Sequence, residues 1–239
     1  MRPAPFDEAG ISLVAVLLAT GFFSTVALGL ALLVSTSLRA DSNYRHAVTM
    51  LNAAEAALEL AAHDLALEAD WNLVLSGVAH SAFTDGAPSG TKAVPIGGIV
   101  NLSAQTNFLN CGLASACTAA QMDSASPDRP WGPNNPRWQP YWFGPLPAVG
   151  AFMHEVPLYA IVWVGDDGSE VDGNPLQDGS ALSDLGHGVV QLRAEIFGAG
   201  ARSAVQALVR RVCWTENIGE RCLPGVRVQS WRDVRQWLP

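Results

Sequence analysis

The stretch 165–179, "GDDGSEVDGNPLQDG", is the best candidate for a chemical site in this 239-residue chain. Asp166, Asp167, Asp172, Asn174 and Asp178 could converge there within one loop. Calcium is a hard cation that takes six to eight oxygen ligands, and these side chains offer oxygen only. The register is not that of an EF-hand, which needs D-x-[DN]-x-[DN]-G and a later glutamate. A solvated acidic turn is the competing reading, and the residues leave both open. No other cofactor is expected.

The four cysteines fall into two local pairs, Cys111/Cys117 and Cys213/Cys222. Neither pair has a His or Cys beside it at zinc-type spacing, which argues against a metal cluster. An even count behind a membrane segment points to disulfides in an oxidising compartment. Three connectivities are open. The two local ones are favoured because each closes a short loop.

Other chemistry is poorly supported. The segment 86–92, "GAPSGTK", resembles a phosphate loop only at a glance, because Lys92 does not follow Gly90 directly; it reads as a turn. There is no G-x-S-x-G and no H-E-x-x-H. The five histidines at 46, 63, 80, 154 and 187 are scattered, and the pair His154–Glu155 lacks a matching partner. The chain does not read as an enzyme.

Composition narrows the class further. Charged residues are 15% of the chain, against a usual share of about 25%. The formal net charge is −8, and no basic cluster interleaves with aromatics, so nucleic-acid binding is not expected. Charge is unevenly placed: seven acids and no Lys or Arg lie between Glu155 and Asp184, while seven Arg and three acids lie between Arg202 and Pro239. Solvated loops followed by an Arg-bearing sheet face would account for this pattern.

The elements that must carry these residues begin with an apolar run. Ile11 to Val34 is 24 residues without a charge, and about 20 suffice to cross the hydrocarbon core. A cleaved secretory signal would have a shorter apolar region behind a basic stretch; here Asp7 and Glu8 precede the run. A membrane anchor is therefore preferred. Arg2 lies before the span and Arg39 and Arg45 after it, so the positive-inside rule does not orient it. The cysteines place the large C-terminal part outside the cytoplasm.

Helical patterning continues past Arg39. Leu51, Ala54, Leu58, Ala61 or Ala62, and Leu65 recur at helical spacing, and no proline lies between Pro5 and Pro88. One helix from about Ile11 to Ala69 is expected, with an apolar stripe packed on its own head domain or on other chains.

These features resemble the type IV pilus minor pilins of the PilX type and, more distantly, the K-type pseudopilins of type II secretion. The matching pieces are a short polar leader ending in Gly10, "ISLVAVLLA", the unbroken apolar helix, "NYR" at 43–45 and "AAEAALELA" at 53–61. The stretches "DWNLVLSG", "RPWGPNNPRW" and "YAIVWVGDDGSEVDGNPLQDG" extend the likeness with less specificity. The resemblance implies cleavage after Gly10 by a prepilin peptidase and methylation of Ile11. It further implies an inner-membrane subunit with a periplasmic head, passing through an assembly platform into a fibre of minor and major pilins. Ala15 stands where major pilins carry glutamate, and many minor subunits share that departure. K-type members bind calcium, which favours a cation in the acidic loop by resemblance only.

The expected fold is α+β and pilin-like. It comprises a leader at 1–10, the transmembrane part of the helix at 11–38, its periplasmic part at 39–70 and a head at 71–239. Within the head, 127–147 holds seven prolines together with Trp131, Trp138, Tyr141, Trp142 and Phe143, which excludes helix and central strand. A long ordered loop pinned by its rings is expected there; an exposed aromatic surface for a partner or glycan is the alternative. The runs 156–164, 188–197, 203–214 and 225–231 read as strands of an antiparallel sheet laid on the helix. The rival function is a single-span, membrane-anchored periplasmic binding or adhesion protein.

Overall fold

The computed structural model describes residues 8–94, 98–146, 157–170, 173–178, 187–198, 201–211, 213–216, 219–222 and 225–234. The chain divides into two compact units, Met1–Val48 and Thr49–Pro239.

Helix α1 runs from Glu8 to Leu67. It contains no proline and is long and apolar enough to cross a membrane by length and composition. From Leu13 to Leu33 its large apolar side chains are exposed. The hydroxyls of Thr20, Thr25, Ser35 and Thr36 each donate to the carbonyl three residues earlier, so these four are satisfied within the helix.

In the second unit the character of α1 changes. Ala54, Ala57, Leu58, Ala61 and Leu65 are fully buried, and Met50, Ala53 and Ala62 nearly so. Their spacing makes one stripe of a 3.6-residue helix. Most are alanines, which lets the helix backbone lie close to the sheet, while Leu58 and Leu65 project into the core.

After α1 come α2 (Trp71–Leu75), a two-stranded ribbon of β1 (Thr91–Val94) and β2 (Gly98–Asn101), α3 (Leu102–Cys111) and α4 (Ala119–Met122). Strands β3 (Gln139–Pro145), β4 (Tyr159–Asp166), β5 (Val189–Gly198) and β6 (Ala201–Arg210) follow. The hairpin of β7 (Cys213–Glu216) and β8 (Gly219–Cys222) precedes β9 (Arg227–Asp233). The main sheet has the order β3-β4-β5-β6-β9, antiparallel throughout.

Both faces of this sheet carry cover. On one, Val162, Val164, Val190, Leu192, Ala194, Ile196, Val205 and Val209 share a core with the α1 stripe. On the other, Phe143, Tyr159, Ile161 and Trp163 pack with Val100, Leu102 and Leu109 of the β1–β2 ribbon and α3. A strand buried on both sides reads as a continuous apolar run, which explains "LYAIVWV" in β4.

Two expectations need correction. The proline-rich segment is not loop throughout, because 139–145 forms β3. It ends the strand order of the sheet, where proline is tolerated; residues 81–85 bond its outer side at Tyr141 and Phe143, and its register slips between Pro140 and Trp142. The acids after Glu155 are not all solvated either: Asp166, Glu170 and Asp178 are buried, as are Gln191, Arg193 and Glu195 on β5.

Candidate functional site

Asp166 ends β4, and the turn after it returns Glu170 and then Asp178 to the same place. All three are buried, and one carboxylate oxygen from each lies within 4.8 Å of the others. Asp178 is tied in on several sides. Its Oδ1 accepts from Gly188 N at 2.7 Å, and its Oδ2 lies 3.0 Å from Arg211 Nη2. Its backbone N–H donates to Asn72 Oδ1 at 2.8 Å, and its carbonyl oxygen lies 2.6 Å from His187 Nδ1. Desolvation raises the Asp178 pKa to about 6, against the lowering effects of Arg211, the Gly188 bond and His187.

The site is anchored to helical elements. Asp70 caps α2 by accepting from Asn72 N at 2.9 Å, which fixes Asn72 where it receives Asp178. Trp71 Nε1 donates to Leu65 O at 3.0 Å, on the last turn of α1. Arg211 lies over the Trp71 ring at 4.4 Å from its centroid. The buried end of α1, α2 and the acidic segment therefore share one set of polar contacts.

The structure regroups the residues singled out from sequence. Asp166 and Asp178 converge. Asp167 instead closes its own turn, accepting from Ser169 N at 3.1 Å and Ser169 Oγ at 2.7 Å. Asn174 does the same, accepting from Leu176 N at 3.3 Å. Asp172 lies outside the described residues. Glu170 completes the group and was passed over in the sequence. The signal available was its position four residues after Asp166, but a turn has no fixed period to make that spacing meaningful. Three buried carboxylates form an all-oxygen donor set of the kind that suits a hard divalent cation. Arg211 supplies positive charge at the same place, and the two modes of neutralisation compete.

Cys111 and Cys117 form a disulfide with a Cα–Cα distance of 6.0 Å. It joins the end of α3, where Gly112 caps in the left-handed region at φ 76°, to the residue preceding the α4 cap Thr118. Cys213 and Cys222 are register partners across β7 and β8. Directly opposed residues have Cα atoms about 4.5–5.5 Å apart, inside the range a disulfide spans. Gly10 and Ile11 lie in the first turn of α1.

The "GAPSGTK" segment is a turn leading into β1, with Gly86 and Gly90 both at φ 74°. Its Lys92 is buried, donates to the carbonyl of Asp85 and lies 5.1 Å from the centroid of the Phe143 ring. That lysine serves packing.

The aromatic segment is pinned as expected. Trp138, Tyr141, Trp142 and Phe143 are buried. Trp131 and Trp138 press on glycines: a Cβ at Gly168 would meet the Trp131 ring at 2.6 Å, and one at Gly165 the Trp138 ring at 3.2 Å. No protein-family model, characterised protein or solved structure matches the chain.

Proposed function

We propose that this protein is a membrane-anchored structural subunit of the minor-pilin type, whose work is assembly through its helix and head. The observation that carries this reading is the two-part character of α1. One unbroken helix is exposed and apolar over Leu13–Leu33, then presents a narrow alanine-rich stripe to an antiparallel sheet over Met50–Leu65. A simple anchor needs no such continuity, because a flexible linker would tether a head equally well. A subunit that packs through its membrane helix makes use of it, since the helix that assembles also carries the stripe on which the head is built.

The polar leader ending at Gly10 supplies the processing junction for a prepilin peptidase. The head lies in the periplasm, where disulfides persist, and the subunit moves from the inner membrane into a fibre with other minor and major pilins. Ala15 bears on position. A carboxylate in the membrane is costly unless it meets a cation, and in subunits that carry glutamate here that cation is a neighbour's amino terminus. A chain lacking it contributes no acid to such a pair, which suits a tip or an initiating complex over a repeating shaft.

The test is copy number. Quantitative mass spectrometry of sheared fibres should find this chain far below the major subunit, and its deletion should abolish fibres. A copy number equal to that of the major subunit would overturn the reading.

A further inference from the structure

The outer face of the main sheet is covered by α3 and the β1–β2 ribbon over β3 and β4, but over β5, β6 and β9 it forms the floor of a cleft. The cleft has a volume of about 900 Å³, within the roughly 300–1,000 Å³ typical of small-ligand sites. Its walls are the end of α3, held by the Cys111–Cys117 disulfide, and the segment 121–131. That second wall is fixed by Asn135 Nδ2, which donates to the carbonyls of Met122 and Ser124 at 3.1 Å each.

The floor is polar and built on strands. Gln206 Nε2 donates to Gln191 Oε1 at 2.5 Å, and Arg232 Nη2 donates to Gln206 Oε1 at 2.9 Å. Beside them Arg193 Nε donates to Glu195 Oε1 at 2.9 Å, and Arg202 binds the other oxygen of Glu195. Gln191, Arg193 and Gln206 are each less than 10% exposed. Their rotamers are set by one another before any ligand arrives. Trp131 stands in the wall, seated on Gly168 with 36% of its surface exposed.

We propose that this cleft binds an acidic saccharide, a sugar bearing a carboxylate. Three chemistries coincide there. Amide side chains offer both donors and acceptors, as paired sugar hydroxyls require. An indole ring packs against the apolar face of a pyranose. Guanidinium groups recognise a carboxylate through two parallel N–H bonds.

Charge favours an acid over a neutral sugar. Arg129, Arg193 and Arg232 line the cleft with Asp128 and Asp233; with Glu195 and Arg202, bonded to one another beside Arg193, four positive groups meet three negative, in a chain whose net charge is −8. Burial, together with Arg202 and Arg232, lowers the Arg193 pKa, while Glu195 opposes the shift; a bound anion would relieve the same strain. An acidic peptide would satisfy the arginines but gives no reason for the glutamine pair or for the exposed ring.

Calorimetric titration of the full-length chain in detergent micelles tests this with trigalacturonate and sialyllactose as acidic probes, galactotriose as the neutral control and a pentaglutamate peptide as the rival. At least one acidic saccharide should bind about tenfold or more tightly than galactotriose. Arg232→Gln, at an exposed position of β9, should remove that preference, and Trp131→Ala should weaken both kinds of sugar. Both variants should keep the parent circular dichroism. Absence of binding by either acidic sugar, equal binding of galactotriose, or tight pentaglutamate binding that ignores Trp131→Ala would each overturn the proposal.

Discussion

Arg211 lies over the ring of Trp71, 4.4 Å from its centroid, and so joins the end of β6 to the start of α2. The same guanidinium reaches the buried carboxylate of Asp178 at 3.0 Å. One side chain thus pairs with Asp178 and seats the acidic segment against the helical layer.

Removing it should be costly. At a pH well above the Asp178 pKa of about 6, Arg211→Ala strands a buried carboxylate without its guanidinium partner, and breaking a buried pair in this way typically costs about 3–5 kcal/mol, less to the extent that the carboxylate takes up a proton instead. Chemical denaturation of the full chain in detergent should show a loss of that size. The double variant with Asp178→Asn should recover part of it, because no charge is then stranded. A single-variant loss below about 1 kcal/mol would show that the pair is dispensable.

Asp178 also predicts a pH dependence. Burial raises its pKa to about 6, from an ordinary 3.8. The folded protein therefore holds the proton more tightly than the unfolded chain does. The resulting stability is fully present below about pH 4 and is lost as pH rises through about 6. In chelator, the parent should lose a few kcal/mol across that window relative to Asp178→Asn. Parallel profiles for the two proteins would contradict the assignment.

Calcium should act on the same carboxylates in the opposite sense. A cation held by Asp166, Glu170 and Asp178 would stabilise the fold by about 2.7 kcal/mol at a hundred times its dissociation constant. Glu170→Gln should remove the effect, while Asp167→Asn, on a side chain that serves its own turn, should leave it intact. Identical melting with chelator and with calcium would exclude the cation.

The core stripe gives a stability prediction of a different kind. Leu58 is fully buried between α1 and the sheet, so Leu58→Ala should cost about 2–5 kcal/mol in the same denaturation measurement. Leu60, about half exposed, should tolerate alanine with less than about 1 kcal/mol lost. Equal losses at both positions would mean that the stripe is not the packed face.

Peptide mapping without reduction should recover Cys111 joined to Cys117 and Cys213 joined to Cys222. Each short loop should contribute about 2–3 kcal/mol by restricting the unfolded chain. Crossed pairs or free thiols at 213 and 222 would refute the second bridge.

How far these features could be read in advance depended on how regular the local signal was. The apolar run and the alanine–leucine stripe of α1 repeat over many turns, so helix and buried face were both legible. In β5, the alternation of Val190, Leu192, Ala194 and Ile196 with Gln191, Arg193 and Glu195 marked a strand. It gave no sign that Gln191, Arg193 and Glu195 would be buried too, because their cover comes from segments distant in sequence. Proline argued correctly against a central strand in 139–145 but could not distinguish an edge strand from a loop. Glu170 escaped notice because convergence of carboxylates across a turn depends on tertiary path, which no spacing rule encodes.

The amino terminus of the mature protein decides most directly whether this chain is a pilin-type subunit. Intact-mass analysis with N-terminal peptide sequencing, on protein extracted from its native membrane, should find the chain beginning at Ile11 with a methylated amine. Replacing Gly10 with a bulky residue should leave the full-length form in place of the shortened one. An intact chain beginning at Met1 or Arg2 in the native membrane would contradict the pilin reading and leave a single-span anchored binding protein in its stead.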